Sequence, residues 1–246
     1  MRDAAEKTLV GIVLYDGVEP IDVGGTVGVI SMAQRILPEL HYVTISERGG
    51  AVKLASGLTV LSDVSFDAAP FCDVTIVTGG PGWREQVRNE HMLAFLRSRQ
   101  PHELASVCTG ALILSASGQL RDRWATTRRF AVGTETEAPL DLLKARGGVA
   151  SARAAAVIDD RDIVTSGGVS LAIDGTLYII GKLYGTEARD RVARAIEYDR
   201  AFAANRDALE HITFQALDRA AQRGPKMSPQ VAVIDDGIVG CTPRSS

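Results

Sequence analysis

Short apolar runs alternate along the chain with longer segments that have a helical period. The runs lie at residues 9–14, 42–45, 74–77 and 104–107, and most are rich in β-branched residues. Continuous apolar runs of this length are typical of strands buried on both faces. The segments between them are rich in Ala, Leu and Arg. They predict helices at residues 23–37, 84–99, 109–117, 135–144, 171–184, 187–198 and 205–222.

Two other stretches predict β-hairpins, because polar turn residues separate two short β-prone arms. Residues 52–61 turn around Ser56-Gly57, and residues 155–165 turn around Asp159-Asp160-Arg161-Asp162. The expected fold is α/β and flavodoxin-like, with a doubly wound, mostly parallel sheet, helices on both faces and small β-hairpin additions. We expect residues 1–200 to form this domain. Residues 201–246 would add a C-terminal helix and tail, packed on the same domain or on a partner subunit.

Composition places the chain among globular proteins and narrows its partners. Of 246 residues, 46% are hydrophobic and 23% are charged, which is enough apolar sequence for one large core. The net charge is −3 and no block of Lys and Arg occurs, so we expect neither nucleic acid nor a membrane as partner. The polar N-terminus lacks the apolar stretch of a signal peptide, which favours a cytoplasmic location. A small-molecule substrate fits this balance.

One cysteine lies where a predicted strand gives way to a predicted helix. Cys108 follows an apolar run and precedes the small residues Thr109 and Gly110. A helix N-terminus leaves N–H groups unpaired and carries partial positive charge, so we expect an exposed Cys108 sulfur with a lowered pKa. The alternative is an inert core thiol. Cys72 is expected to be buried packing, and Cys241 lies in a tail of weak character.

The three cysteines are widely and irregularly spaced, which indicates neither a disulfide framework nor a zinc site. We therefore expect no metal.

The loops that follow the predicted strands supply the remaining candidates, because the active site of a parallel sheet lies beyond the carboxyl ends of its strands. The glycine-rich loop contains Gly79, Gly80 and Gly82, and it is either an ordinary tight turn or a set of N–H donors for a developing negative charge. We expect these glycines and Gly110 to act as the oxyanion and substrate-binding residues. The loop lacks the ending of a phosphate-binding loop and the spacing of a dinucleotide fingerprint, so no nucleotide cofactor is inferred.

Asp22 lies in the loop region after the first run, just before a predicted helix. It is either an N-cap or a carboxyl that moves protons in the same cleft as the thiol, and Glu19 competes for that second role. All four histidines lie away from Cys108 in sequence, and His41 and His102 fall at the starts of strands. A cysteine amidase or peptidase uses a histidine, so a carboxylate is the expected proton carrier here.

At these loops the chain resembles the ThiJ/PfpI superfamily, and within it the branch that contains isonitrile hydratases and the amidase-like domains of AraC-type regulators. The resemblance spans residues 9–198. It rests on Ile21-Asp22, Gly79-Gly80-Pro81-Gly82, Ser106-Val107-Cys108-Thr109-Gly110-Ala111, Trp124-Ala125-Thr126-Thr127 and the segment 165–174, TSGGVSLAID.

The resemblance implies a cofactor-independent enzyme with Cys108 as nucleophile, Asp22 as acid/base and Thr109 close to the sulfur. In the hydratases the sulfur attacks the terminal isonitrile carbon, and water resolves the resulting thioimidate to an N-substituted formamide. Members of the superfamily are commonly dimers, so a homodimer is expected. The regulators carry two helix-turn-helix units, for which the residues after 198 are few and insufficiently basic, so an enzyme is preferred.

The chain departs from the branch in one position that bears on the substrate. Related members carry a histidine after the Thr-Thr pair, whereas Arg128 follows Thr127 here. If Arg128 lines the pocket, a permanent cation predicts a substrate with a carboxylate or another anion, while the alternative is an arginine that faces solvent. A different class of function, a redox sensor or chaperone-like protein with an oxidisable Cys108, also fits an exposed thiolate.

Overall fold

The computed structural model describes residues 7–214 and builds them around one sheet. The helices are α1 (Pro20–Ala33), α2 (Trp83–Gln86), α3 (Glu90–Arg97), α4 (Gly110–Ala116), α5 (Pro139–Arg146), α6 (Ala172–Tyr184), α7 (Thr186–Ala195) and α8 (Asp199–Ala208). The strands are β1 (Thr8–Val13), β2 (Leu40–Ser46), β3 (Arg48–Lys53), β4 (Thr59–Ser65), β5 (Val74–Val77), β6 (Leu104–Val107), β7 (Trp124–Ala125), β8 (Ser151–Ala152), β9 (Val157–Asp160), β10 (Ile163–Ser166) and β11 (His211–Phe214).

The main sheet has nine strands in the order β11-β9-β10-β6-β5-β1-β2-β4-β3, and β7 and β8 form a separate parallel pair. The central neighbours β10, β6, β5, β1 and β2 pair in parallel, and only β9 with β10 and β3 with β4 pair antiparallel. This mostly parallel sheet, surrounded by helices, confirms the predicted flavodoxin-like α/β fold. The carboxyl ends of β1, β5 and β6 therefore lie side by side at one edge.

The antiparallel pairs are the two predicted hairpins. In the first, β3 and β4 pair from Lys53–Thr59 outward around Ser56-Gly57. In the second, β9 and β10 pair around Arg161 and Asp162, which both have positive φ. These additions lie at and near the sheet edges, so they leave the central parallel strands free to carry the functional loops.

Several predicted helices begin or end elsewhere. α1 begins at Pro20 because proline is preorganised for the first helical position and lacks the N–H that would be unpaired there. The predicted helix at 84–99 is wrong as one element, because Asn89 starts a new helix: its side chain accepts hydrogen bonds from the N–H groups of His91 and Met92. α5 likewise starts at Pro139 rather than at residue 135.

The predicted helix at 205–222 is wrong in the part that the structure describes. α8 spans the predicted domain boundary at residue 200 and ends at Ala208, and β11 then extends the main sheet beside β9. Ile212 and Phe214 are buried in a small apolar cluster with Ala155, Ile158 and Trp124, so side-chain burial along an extended strand overrides local helix propensity. Residues 215–246, including Cys241, lie outside the described part.

The helices pack in two groups. α1, α6 and α7 contact one another, and α4 contacts α2, α3 and α5. The α1–α6 contact is close: a Cβ added at Gly25 would lie 3.0 Å from the Ala172 Cβ. The longest of the described helices, α1, has 14 residues, and none of them is long and apolar enough to cross a bilayer.

Asp174 joins the C-terminal elements to the rest of the fold. It lies on α6 and is fully buried, and Oδ2 accepts hydrogen bonds from the Tyr198 hydroxyl at 2.9 Å and the Asn205 amide at 3.1 Å. Burial raises the pKa of Asp174 to about 6, against the lowering effect of these two donors. The carboxylate thus anchors the start and the middle of α8 on α6.

Asp174→Ala should lower the free energy of unfolding by about 2 kcal/mol, because it leaves two partly buried donors without their acceptor. Tyr198→Phe should lower the free energy of unfolding by only about 1 kcal/mol, since it removes one hydrogen-bond donor and leaves no other donor without an acceptor. Urea unfolding at pH 7 measures both. Asp207→Ala, at an exposed position of α8, is the matched control and should change little; equal losses in Asp174→Ala and Asp207→Ala would contradict the anchoring role.

Candidate active site

Cys108 lies in a sharp turn between β6 and α4. Its φ of 52° falls in the left-handed region, which non-glycine residues adopt only when their surroundings hold them there. The Cys108 N–H donates to the carbonyls of Ser166 and Gly167 at 3.2 Å, and the Thr127 hydroxyl donates to the Cys108 carbonyl at 2.7 Å. These bonds hold the turn and set the direction of the side chain.

The thiol is buried, and the expectation of an exposed sulfur with a lowered pKa is wrong. Cys108 is 2% exposed. Burial raises the pKa of its thiol well above the ordinary value, and the neighbouring Asp22 raises it further. The N–H of Thr109 and the charge of Arg128 act in the opposite direction but do not prevail. The cause is physical: desolvation of a thiolate exceeds the stabilisation that the helix N-terminus offers.

Two glycines shape the space around the sulfur. A Cβ added at Gly168 would lie 2.5 Å from the Cys108 Sγ, and one added at Gly79 would lie 2.7 Å from Asp22 Oδ2 and 2.8 Å from the Cys108 Cβ. Any side chain at these positions would displace the thiol or the carboxylate. Sequence reasoning did not assign a role to Gly168, although the Gly167-Gly168 pair after a predicted strand was a usable signal.

Asp22 lies in the first turn of α1 and is fully buried beside the thiol. Its Oδ2 accepts a hydrogen bond from the Gly79 N–H at 2.9 Å, whereas the buried Oδ1 has no hydrogen-bond partner among the described residues. Burial raises the pKa of Asp22 to about 7, although the Gly79 N–H and the neighbouring Cys108 side chain lower it. The N-cap interpretation is wrong, since Glu19 holds the N-cap position of α1.

The N–H groups of the glycine-rich loop donate to neighbouring side chains and backbone, and the oxyanion role expected for these glycines stays a prediction. The Gly79 N–H is bonded to Asp22, the Gly80 N–H donates to Thr109 Oγ1 at 2.8 Å, and the Gly82 N–H donates to the Gly17 carbonyl at 3.1 Å. The loop thereby positions both Asp22 and Thr109. The N–H that does contact the sulfur belongs to Thr109.

Gly110 serves packing of α4 against the sheet. A Cβ at this position would overlap the Val77 carbonyl oxygen at the end of β5. The small residue therefore allows the start of α4, and with it Cys108 and Thr109, to lie directly over the strand ends.

Tyr15 is a site neighbour that sequence reasoning missed. It follows β1, is buried, and donates its hydroxyl to the Thr78 carbonyl at 2.9 Å. Burial raises the pKa of Tyr15 well above its ordinary value, and the charges of Asp22 and Cys108 raise it further, whereas a hydrogen bond with Thr109 lowers it. Its position at the end of the first apolar run was the only signal in the sequence.

Arg128 lies near the thiol but is not a solvent-facing arginine. Its charge is close enough to lower the pKa of both Asp22 and Cys108, and its side chain is 12% exposed. The guanidinium Nη2 lies 2.7 Å from each carboxylate oxygen of Glu135. Glu135 is thus a second residue that sequence reasoning did not place at the site.

Two cavities flank these loops. One of about 530 Å³ lies among α2, α4 and α5 and is lined by residues that include Trp83, Arg84 and Leu112. The other, of about 460 Å³, borders Tyr15 and Asp16 at the ends of β1 and β2. Both volumes are in the range of small-molecule sites.

The remaining titratable candidates lie elsewhere. His102 directly precedes β6, at the opposite end of the strand from Cys108, and His41 lies at the start of β2. His91 pairs with Glu47 at 3.4 Å, and His211 lies on β11. Cys72 is buried, as predicted. Among residues 7–214 no three His, Cys, Asp or Glu side chains form a cluster that would hold a metal ion.

Comparison with known proteins decides the family. Residues 8–181 match the model of the DJ-1/PfpI family, which is well over half of the chain. The chain belongs to the DJ-1/PfpI family. Among solved structures, a ThiJ/PfpI family protein from Pseudomonas syringae superposes with a TM-score of 0.67 at 24% identity, covering 78% of this chain and 76% of that one.

Two curated relatives differ in kind. An isonitrile hydratase from Pseudomonas putida is 29% identical over 191 residues, covering 77% of this chain and 78% of the hydratase. The HTH-type transcriptional regulator GbdR from Pseudomonas aeruginosa is 27% identical over 233 residues, which is 93% of this chain but only 60% of the regulator. This DJ-1/PfpI chain is therefore similar both to an enzyme and to part of a regulator.

Asp22→Asn should make Cys108 more reactive. Asparagine keeps an acceptor for the Gly79 N–H but carries no charge, so the pKa of Cys108 falls. Alkylation by iodoacetamide at pH 7.5 should then be faster by about fivefold. Mass spectrometry of the peptide that contains Cys108 gives the rate, and a rate equal to that of the wild type would show that the two side chains are not coupled.

The same variant should also be more stable than the wild type at high pH. The pKa of Asp22 is about 7 in the folded chain against 3.8 for an ordinary aspartate, so the wild type loses stability as pH rises between these values. Well above pH 7 the full cost, on the order of 4 kcal/mol, is present. The Tm difference between variant and wild type should therefore be near zero at about pH 4 and largest at pH 8; a pH-independent difference would contradict this.

Proposed function

We propose that this DJ-1/PfpI protein is a cysteine-dependent hydratase that adds water to a small electrophilic carbon, most simply the terminal carbon of an isonitrile. One observation carries the proposal: the buried Asp22 carboxylate lies beside the Cys108 side chain across Gly79, and its pKa is about 7. A carboxylate that titrates near neutral pH is suited to take and return a proton. The similarity to an isonitrile hydratase over most of both chains supports the same reaction.

In the first step Asp22 acts as the general base. A neutral thiol is the resting nucleophile, since burial keeps the pKa of Cys108 high. As the sulfur attacks the terminal carbon of R–N≡C, its proton passes to Asp22 and from there to that carbon. A C–S bond and a C–H bond form, which gives the thioimidate R–N=CH–S–Cys108.

In the second step water attacks the same carbon. Asp22 takes a proton from the water, the C–S bond breaks, and protons return to the nitrogen and the sulfur. The products are R–NH–CHO and the free thiol, so the reaction consumes one water and needs no oxidant. Because no amine is expelled, one carboxylate suffices and a histidine is not required.

A second candidate is an effector-binding protein that does not turn its ligand over. The match to a transcriptional regulator across 93% of this chain favours it. A redox sensor has less support, because a sensor thiol is normally exposed and ionised, whereas Cys108 is buried with a raised pKa. Formamide production separates the enzyme from both alternatives.

Cys108→Ala should abolish formamide production from cyclohexyl isocyanide, because no nucleophile remains. Cys72→Ala is the matched control, since Cys72 is equally buried but lies before β5, and it should retain at least about half of the activity. Gas chromatography of N-cyclohexylformamide measures both. Full activity in Cys108→Ala, or no activity in the wild type, would reject the proposal.

The value of kcat/KM should rise with pH through about 7, because the general base must be ionised and the pKa of Asp22 lies near this value. Asp22→Asn should lose the activity. Glu19→Gln should retain it, which decides between the two carboxylates of this loop. A flat profile between pH 6 and 8 would contradict the role of Asp22.

A further inference from the structure

Arg128 is placed to influence whatever binds at Cys108. It follows Thr127, whose hydroxyl holds the Cys108 carbonyl at 2.7 Å, and its guanidinium is largely buried. A buried cation next to a nucleophile ordinarily attracts an anionic substrate group. On the condition that Arg128 lines the pocket, the sequence therefore predicted a substrate with a carboxylate or another anion.

The structure shows that most of the N–H donors of Arg128 are already engaged. Nη2 donates to both oxygens of Glu135 at 2.7 Å, and Nη1 donates to the Phe130 carbonyl at 2.6 Å. Only Nε and one Nη1 hydrogen are left without a partner among the described residues. The carboxylate of Glu135 thus occupies the position at which a substrate anion would pair with Nη2.

Glu135 is itself held firmly and stays charged. Its Oε2 accepts a hydrogen bond from the Val132 N–H at 2.9 Å, and Arg84 lies 3.6 Å from Oε1. Its side chain is 12% exposed. Burial would raise the pKa of Glu135, but the hydrogen bonds from Arg128 and Val132 bring it below the ordinary value. A competing anion must displace this fixed carboxylate.

We propose that Glu135 determines substrate charge: by pairing with Arg128, it makes the surroundings of the Cys108 thiol, called the pocket from here on, select neutral electrophiles and reject those that carry a carboxylate. The inference rests on the proposed function for its consequence in turnover. The charge selectivity itself does not depend on turnover, because it applies to any reagent that reaches the thiol. The two can therefore be tested separately.

The selectivity is tested first by alkylation of Cys108 with iodoacetamide and iodoacetate, which differ mainly in charge. The full chain carries Asp22→Asn in all samples, so that the Asp22 carboxylate does not itself repel the anion. The ratio of the iodoacetate rate to the iodoacetamide rate is compared with the ratio in the same protein unfolded in urea. We expect the folded protein to disfavour iodoacetate by about fivefold or more relative to the unfolded chain.

Adding Glu135→Gln should raise the ratio of the iodoacetate rate to the iodoacetamide rate by about threefold or more, because Arg128 is no longer paired with a carboxylate. Adding Arg128→Gln as well should remove that gain. Glu90→Gln is the matched control: Glu90 also pairs with an arginine, Arg97 at 2.9 Å, but on the exposed surface of α3, and its loss should leave the ratio unchanged. An unchanged ratio in a folded Glu135→Gln variant would overturn the proposal.

The folded Asp22→Asn protein alone provides a test that does not depend on a further variant folding. A folded-state ratio equal to or above the unfolded one means that the pocket accepts anions, and the proposal is then wrong. In turnover, with Asp22 intact, kcat/KM for cyclohexyl isocyanide should exceed that for isocyanoacetate at least tenfold, and Glu135→Gln should narrow this preference about threefold. If no isonitrile is hydrated but the alkylation ratios behave as described, the proposed function fails and the charge selectivity of the pocket stands.

Discussion

The contact between Asp22 and Cys108 is the constraint around which this site is built. Both side chains are ionisable and both are buried, and one negative charge disfavours a second beside it. The thiol therefore stays protonated beside a carboxyl group that titrates near neutral pH. Burying these two ionisable side chains together is unfavourable for stability, and hydrogen bonds from the surrounding loops hold them in place.

Each of the neighbouring loops contributes to that placement through its backbone. The Gly79 N–H fixes the carboxylate, the Gly80 N–H fixes Thr109, and the absence of a side chain at Gly168 leaves the volume that the sulfur fills. The strained turn at Cys108 is held by carbonyls of the segment after β10 and by Thr127. Residues from four different segments thus converge on a pair of side chains, which is possible because the carboxyl ends of parallel strands meet at one edge.

Charge beyond the pair is balanced in a similar way. Arg128 lowers the pKa of both reactive groups, yet Glu135 neutralises it within a largely buried ion pair. The two charges of this ion pair therefore cancel next to the reactive groups. This balance supports the proposed hydration of a neutral electrophile.

Much of the fold followed from the sequence by itself. The apolar runs located the central strands, the polar turns located both hairpins, and the junction at residues 107–110 located the thiol, because these features depend on local periodicity and turn chemistry. Only the tertiary structure decided the exposure of Cys108, the use of the Gly79 and Gly80 N–H groups, the pairing of Arg128 with Glu135 and the strand at 211–214. Each of these depends on what a distant segment brings into contact, and desolvation and pairing across such contacts outweigh local propensity.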